Sequence, residues 1–281
     1  MITLRFLKIA AVMLCMVVES FAIACPEYAN QETKRVVEAM VDAHGGIERW
    51  RAAPSIRFDD IMHMETHEKG QFGWWVAHEV IDQETRQVYQ EWPMEDSRLG
   101  FDGEKVWSQN WQQANPTAMM VHFFYYFVNL PWLTQDDGVI LSAVEKSTWE
   151  GIDGELYKVT MSFDGLPAAV GKSAKDSFVL YIDPETYQLV SYQYGTGFGP
   201  FIELAGMPKG SVFGPMWRVI TRYEEVGGLL FPSAFHTMPG PDGKILGDHV
   251  ITNIDISTPF ETEKAAVPAD AVVFAGPLRT D

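Results

Sequence analysis

Across most of this chain, apolar and polar residues alternate in short runs with a period of two, the signature of strands with one buried face. Tyr157, Val159, Met161 and Phe163 fall on one face, and Lys158, Thr160 and Ser162 on the other. Val190, Tyr192 and Tyr194 alternate with Ser191 and Gln193, and Val250, Thr252, Ile254 and Ile256 with Asn253 and Asp255. Turn pairs at Asp102-Gly103, Asp153-Gly154, Asp183-Pro184, Gly227-Gly228 and Asp242-Gly243 separate the runs. The spacing predicts about eleven or twelve strands. They lie near 55–67, 72–82, 86–92, 97–101, 105–110, 139–149, 155–163, 176–183, 187–195, 216–226, 229–238 and 245–257. Turn-linked neighbours pair antiparallel, so one strongly curved antiparallel sheet is expected.

Three segments break this pattern. Residues 31–44 carry the helical period: Val36, Val37, Met40 and Val41 form a stripe, with Glu32, Lys34, Arg35, Glu38 and Asp42 elsewhere. Gly45 and Gly46 end that helix. Asn115 to Gly138 holds Phe123-Phe124-Tyr125-Tyr126-Phe127-Val128, then Leu130-Pro131-Trp132-Leu133. Pro116 can begin a helix there, and Pro131 is expected beyond its end. An all-round apolar helix must be buried on several sides or touch something greasy. Gly195 to Pro215, with six glycines and three prolines, reads as a long loop.

The N-terminus changes the setting. Arg5 and Lys8 precede an apolar run, Ile9 to Val18, and Ala22-Ile23-Ala24 supplies small residues for a peptidase. This is the layout of a secretory signal over residues 1–24, and a run of about ten residues is too short to span a bilayer. About 255 residues then remain, with no composition break, so a single domain over 25–281 is expected. Cys15 leaves with the signal and Cys25 is left without a partner. Cys25 stands where a bacterial lipoprotein carries its acylated cysteine, although Ala22 replaces the usual leucine; release by ordinary cleavage fits the same residues. The chain has 21 basic and 38 acidic residues, a net charge of −17. That repels nucleic acid and anionic lipid headgroups.

Chemistry-bearing motifs are sparse. Neither a nucleophile elbow, a His-Glu-X-X-His zinc motif nor a phosphate loop occurs. His63, Glu65 and His67 share one strand face and form a weak zinc candidate, with about 7 Å between successive side chains. A solvated outer face explains them better, with Met62 and Met64 facing inward. No cofactor is expected.

Ala43-His44-Gly45-Gly46-Ile47-Glu48-Arg49-Trp50, Tyr125 to Trp132, Tyr181 to Tyr187 and Leu230-Phe231-Pro232 together resemble the LolA-like and LppX-like periplasmic superfamily of outer-membrane lipoprotein-sorting proteins. The resemblance covers roughly residues 30–265. It implies a mainly β (α+β) fold, a half-open β-barrel plugged by helices around an apolar cavity, in a branch without assigned activity. Nine tryptophans, ten tyrosines and seventeen phenylalanines suit a greasy concave face. The candidate ligand-binding residues are Phe124, Phe127 and Trp132 from the plug, and Tyr157, Met161, Tyr192 and Tyr194 from the sheet.

The expectation is a monomeric periplasmic carrier for a hydrophobic ligand or an acylated lipoprotein, with the plug helix or the 195–215 loop as lid. Membrane contact would come only through a lipid on Cys25. Two rivals are an enzyme acting on a small apolar substrate in the same cavity, and an anchored protein-interaction module whose interior is filled by its own side chains.

Overall fold

In the computed structural model, residues 26–65, 72–149, 152–240 and 243–281 are described. The signal segment, Cys25 and His67 lie outside them, and so do Asp242 and the side chains of Glu65 and Phe72. After β1 (Glu27–Tyr28), the helical period produces α1 (Gln31–Ala43). Asn30 caps it by accepting a hydrogen bond from the Thr33 amide at 2.9 Å. Its stripe Val36, Val37, Met40 and Val41 is buried. Gly45 and Gly46 end α1 with positive φ, and the short α2 (Ile47–Arg51) leads into the sheet.

The strands follow in order: β2 (Ser55–Glu65), β3 (Phe72–Asp82), β4 (Val88–Trp92), β5 (Ser97–Phe101) and β6 (Val106–Gln109). The chain then forms α3 (Thr117–Met120) and α4 (Phe123–Leu133). It returns as β7 (Val139–Leu141), β8 (Glu145–Trp149), β9 (Ile152–Phe163), β10 (Lys172–Ser173), β11 (Ser177–Ile182) and β12 (Leu189–Thr196). After α5 (Gly199–Leu204) come β13 (Phe213–Val226), β14 (Leu229–Met238) and β15 (Gly247–Asp255). The chain closes with α6 (Thr262–Ala265), β16 (Val272–Val273) and β17 (Arg279–Thr280).

Among the described residues, fifteen strands form one curved sheet that does not close into a barrel, ordered β1-β7-β9-β11-β12-β13-β14-β15-β2-β3-β4-β5-β6-β16, with β8 beside β9. Pairing is antiparallel except where β1 joins β7; a separate pair, β10 and β17, is parallel. The connection from β6 to β7 runs from one end of the sheet to the other and carries α3 and α4 across the concave face. Its aromatic residues explain the curvature. Phe124 touches Trp92 on β4, with ring centroids 5.9 Å apart, and Tyr126 stacks on Phe178 of β11 at 5.6 Å. Those strands are seven steps apart, about 34 Å on a flat sheet at about 4.8 Å per step. A helix is only about 10–12 Å across with its side chains. One helix meets both strands only because the sheet curls around it.

Three details differ from the sequence expectation. Pro131 lies inside α4, in its last turn, where only one backbone hydrogen bond is forfeited. The expected strand 139–149 divides at Ser142–Val144 into β7 and β8, both paired to the long β9. The expected 195–215 loop is largely structured. β12 extends to Thr196, α5 follows, β13 starts at Phe213, and Phe198 and Ile202 are buried. Two buried apolar side chains thus anchor this segment to the core. Two-residue strands such as β1 and β16 are too short to carry an alternation signal.

The end of α1 is a close backbone contact. A Cβ on Gly45 (φ +101°) would sit 2.2 Å from the Gly228 carbonyl oxygen, whereas one on Gly46 (φ +87°) would meet only the Asp42 carboxylate at 3.9 Å. Both alanine variants strain φ, by about 1–3 kcal/mol. Only Gly45→Ala must also push α1 off the β13–β14 hairpin. Urea denaturation is expected to show a clearly larger loss of stability for Gly45→Ala than for Gly46→Ala; equal losses would contradict this contact.

Candidate functional site

Helix α4 has no polar face. Every residue from Phe124 to Leu133 is buried. Asn129 satisfies its side chain internally, donating to the Tyr125 carbonyl at 3.0 Å and accepting from the Trp50 indole N–H at 2.8 Å. The break between α3 and α4 leaves carbonyls without helical partners. The Gln90 amide, on β4, fills that role, donating to Met120 O at 3.1 Å and Val121 O at 3.3 Å.

The concave surface facing α4 has two halves. On β9 and β11 it is apolar: Val159, Met161, Phe178 and Leu180 are all buried. From β12 to β4 it carries a polar seam. Tyr192, Arg218, Thr237, His249, Asp60, Glu79 and Gln90 come from seven consecutive strands, and each is at most 1% exposed. Cross-strand register places Tyr192 opposite Arg218, Arg218 opposite Thr237, and Glu79 opposite Gln90.

Chemistry fixes the protons here. Arg218 can only donate, so His249 Nδ1, 2.7 Å from the guanidinium, accepts. The neutral ring then carries its hydrogen on Nε2 and donates to Asp60 Oδ2. Burial lowers the His249 pKa, with Asp60 opposing. It raises that of Asp60, with His249 and then Arg218 opposing. Burial, and then Asp60, holds the Glu79 carboxyl well above its usual range; its Oε2 accepts from Gln90 at 2.6 Å. The Arg218 guanidinium lies 3.9 Å over the Phe127 ring, and Phe124 and Phe127 both meet the His249 ring. Among the described residues, five buried atoms of the seam have no hydrogen-bond partner: Asp60 Oδ1, Glu79 Oε1, Arg218 Nε, Tyr192 Oη and Thr237 Oγ1.

The sequence candidates separate. Phe124, Phe127, Tyr192 and Tyr194 lie together, with Phe127 5.1 Å from Tyr194 and 6.1 Å from Tyr192. Met161, on β9, sits two strands beyond β12, opposite Phe178 of β11. Trp132 is at the other end of α4, stacked on Trp50 and beside Phe231. Tyr157 is at a rim with Tyr187, near Arg35. His63 stacks on Trp74 at 4.4 Å. Among the described residues no group of three metal-ligating side chains occurs. Sequence reasoning missed the seam, although a signal existed. If Met62 faces inward, Asp60 two residues earlier does too; Glu79 is in phase with Ala77, Arg218 with Ile220, and His249 with Ile251.

The crevice between Met119, Phe123, Phe127 and Phe178 is about 10 Å³, roughly the room of a single water probe. A larger groove, about 290 Å³, lies on the outer face by Val179, Val212 and Pro215.

The quoted motifs converge on one hub. His44 Nδ1 donates to Leu230 O at 2.6 Å, and its Nε2 accepts from the Leu189 amide at 3.1 Å. Trp132 packs against the same ring. The motif residues thus pin α1, α4, β12 and β14 together.

No family model matches the chain, and no curated protein sequence matches it. Solved structures do. A LolA superfamily protein from Nitrosomonas europaea superposes with a TM-score of 0.50 at 6% identity, covering 84% of this chain and 97% of that one. The fold is LolA-like. A DUF1329 family protein from Desulfovibrio piger gives 0.48 at 8% identity, covering 83% and 97%. A domain described as outer membrane lipoprotein-sorting, from Vibrio parahaemolyticus, gives 0.46 at 7%, with the same coverage. The assignment rests on the first and concerns the fold alone.

In this LolA-like half-barrel the hub histidine makes a pH test. Burial lowers the His44 pKa to about 4, the hydrogen bond to Leu230 opposing. The unfolded chain takes up that proton near 6.5, the folded one only near 4. The stability is whole above about pH 6.5 and is lost as pH falls towards 4, at roughly 1.4 kcal/mol per unit. Raised carboxylates such as Glu79 slope the opposite way, so the difference between wild type and His44→Gln isolates the effect. Wild type should lose stability relative to the variant between pH 6.5 and 4 in urea titrations; parallel profiles would contradict a buried neutral His44.

Proposed function

We propose that this chain is an exported, non-catalytic periplasmic carrier that holds a hydrophobic ligand, a lipid or a lipoprotein acyl chain, between α4 and the sheet. In this reading residues 1–24 direct export, 25–281 act as one monomeric domain, and Cys25 is the anchoring point if the chain is acylated. Phe124, Phe127, Met161, Tyr192 and Tyr194 meet the ligand, with Trp132 and Tyr157 further away. The observation that carries the reading is the unsatisfied seam under α4. Each unpaired buried polar atom costs roughly 1–3 kcal/mol. A lid seated on five such atoms is poised to lift, because lifting hydrates them. Ligand exchange is then close to balance. About fifteen buried methylenes gain on the order of 12 kcal/mol, against about 1.5–3 kcal/mol for each α4 aromatic uncovered.

An enzymatic reading has less support. Both ring nitrogens of His249 and of His44 are engaged, which leaves no lone pair for a substrate. A protein-interaction module is the second reading. The filled interior favours it, with the outer groove beside the Trp149, Tyr181 and Trp217 cluster as its surface.

Native mass spectrometry of the gently purified chain, with uptake of a fluorescent fatty acid, separates them. A carrier gives a lipid adduct or stoichiometric uptake. Gln90→Leu, which frees the Met120 and Val121 carbonyls, should speed uptake several-fold. Apo protein alone, with no uptake by either form, would leave the interaction module.

A further inference from the structure

Lys172 is the only lysine among the described residues with less than a tenth of its surface exposed (7%). It is held there by local geometry. Gly171 (φ +71°) brings its backbone so close to α3 that a Cβ would lie 2.1 Å from the Ala118 carbonyl oxygen. The Gly171 amide donates to Leu278 O at 2.7 Å, and β10 pairs with β17. The Lys172 side chain is therefore directed along the wall of the crevice between α3–α4 and β11–β12.

Among the described residues its ammonium has no hydrogen-bond or ion-pair partner. The Tyr126 ring face, 4.1 Å from Nζ, is its one close polar contact. The neighbouring carboxylate, Asp176, attracts it without closing an ion pair; Asp176 Oδ1 accepts from Thr196 Oγ1 at 3.0 Å and from the Gly197 amide at 2.8 Å. A buried cation with three donors and no acceptor is costly unless something supplies an acceptor. Asp176 and Thr196 line the same crevice, and the rest of its wall is apolar: Met119, Phe123, Phe127, Phe178 and Tyr194. Beyond it lies the apolar half of the concave face, away from the seam.

We propose that Lys172 is the headgroup anchor for an anionic amphiphile, whose carboxylate or phosphate monoester binds the ammonium while the acyl chain runs beneath α4 along Phe127 and Phe178. This deepens, and rests on, the carrier reading above. It also explains how a chain of net charge −17 could take an acidic ligand. The ligand enters at one buried cation rather than by long-range attraction.

The test is binding of palmitate, hexadecyl phosphate and methyl palmitate to the full chain, read by tryptophan fluorescence. Wild type should bind one or both anions at least tenfold tighter than the ester. Lys172→Met should erase that advantage and leave the ester unchanged, and Lys172→Arg should keep it. The better anion identifies the headgroup. Unchanged ester binding by Lys172→Met, with a wild-type circular dichroism spectrum, shows that the variant is folded, so lost anion binding cannot be put down to misfolding. Tight palmitate binding by Lys172→Met, with the ester also bound, would overturn the anchor and leave the carrier. Binding of none of the three would overturn both.

Discussion

The burial of α4 is the constraint on which the rest depends. Eleven residues without a polar face cannot lie on a surface, so the sheet must supply apolar contact around nearly the whole helix. That requirement accounts for the curl of the sheet, the long β6–β7 crossing and the open edges. It also explains why the crevice beside α4 is far smaller than a ligand-sized cavity. The rings that would line one are packed against the helix, Trp92 and Phe178 at one end and Trp50 and Phe231 at the other.

Seating an apolar helix on a polar seam is a conflict within this core. Arg218 is partly compensated by the Phe127 face and by the neutral His249 that separates it from Asp60. Glu79 is compensated by Gln90, which also holds the α3–α4 break. The compensation is incomplete, and the orphaned atoms lie beneath α4. A core optimised only for stability would have apolar residues there, since well-packed apolar replacements of buried charges are often neutral or stabilising. The energetic weak point and the candidate binding surface therefore coincide.

Much of the fold was legible in the sequence because periodicity is local. The α1 stripe, the glycine stop at 45–46 and the long strands are written in consecutive residues. So was the plug, since an all-round apolar run has few other solutions. The site was less legible. The seam joins residues from 60 to 249 that become neighbours only through strand order, and each looks like an ordinary polar position in its own segment. Lys172 is hidden for the same reason: its burial depends on β17 and α3, distant in sequence. Tyr157 shows the converse. Its strand parity predicts an inward side chain, but β9 runs past the edge of the core, so the same face ends at a rim beside Tyr187. The quoted motifs mark the His44 hub, which holds the scaffold together, rather than the surface facing α4.

Native-state hydrogen exchange tests most directly whether α4 is a movable lid. If it is, amides of residues 117–133 exchange through a local opening well below the global unfolding free energy, while those of β2 and β13 exchange only by global unfolding. Adding a bound amphiphile should slow the 117–133 amides selectively. Exchange of α4 at the same free energy as β2 and β13, unchanged by any amphiphile, would show that α4 is a permanent core and would contradict the account.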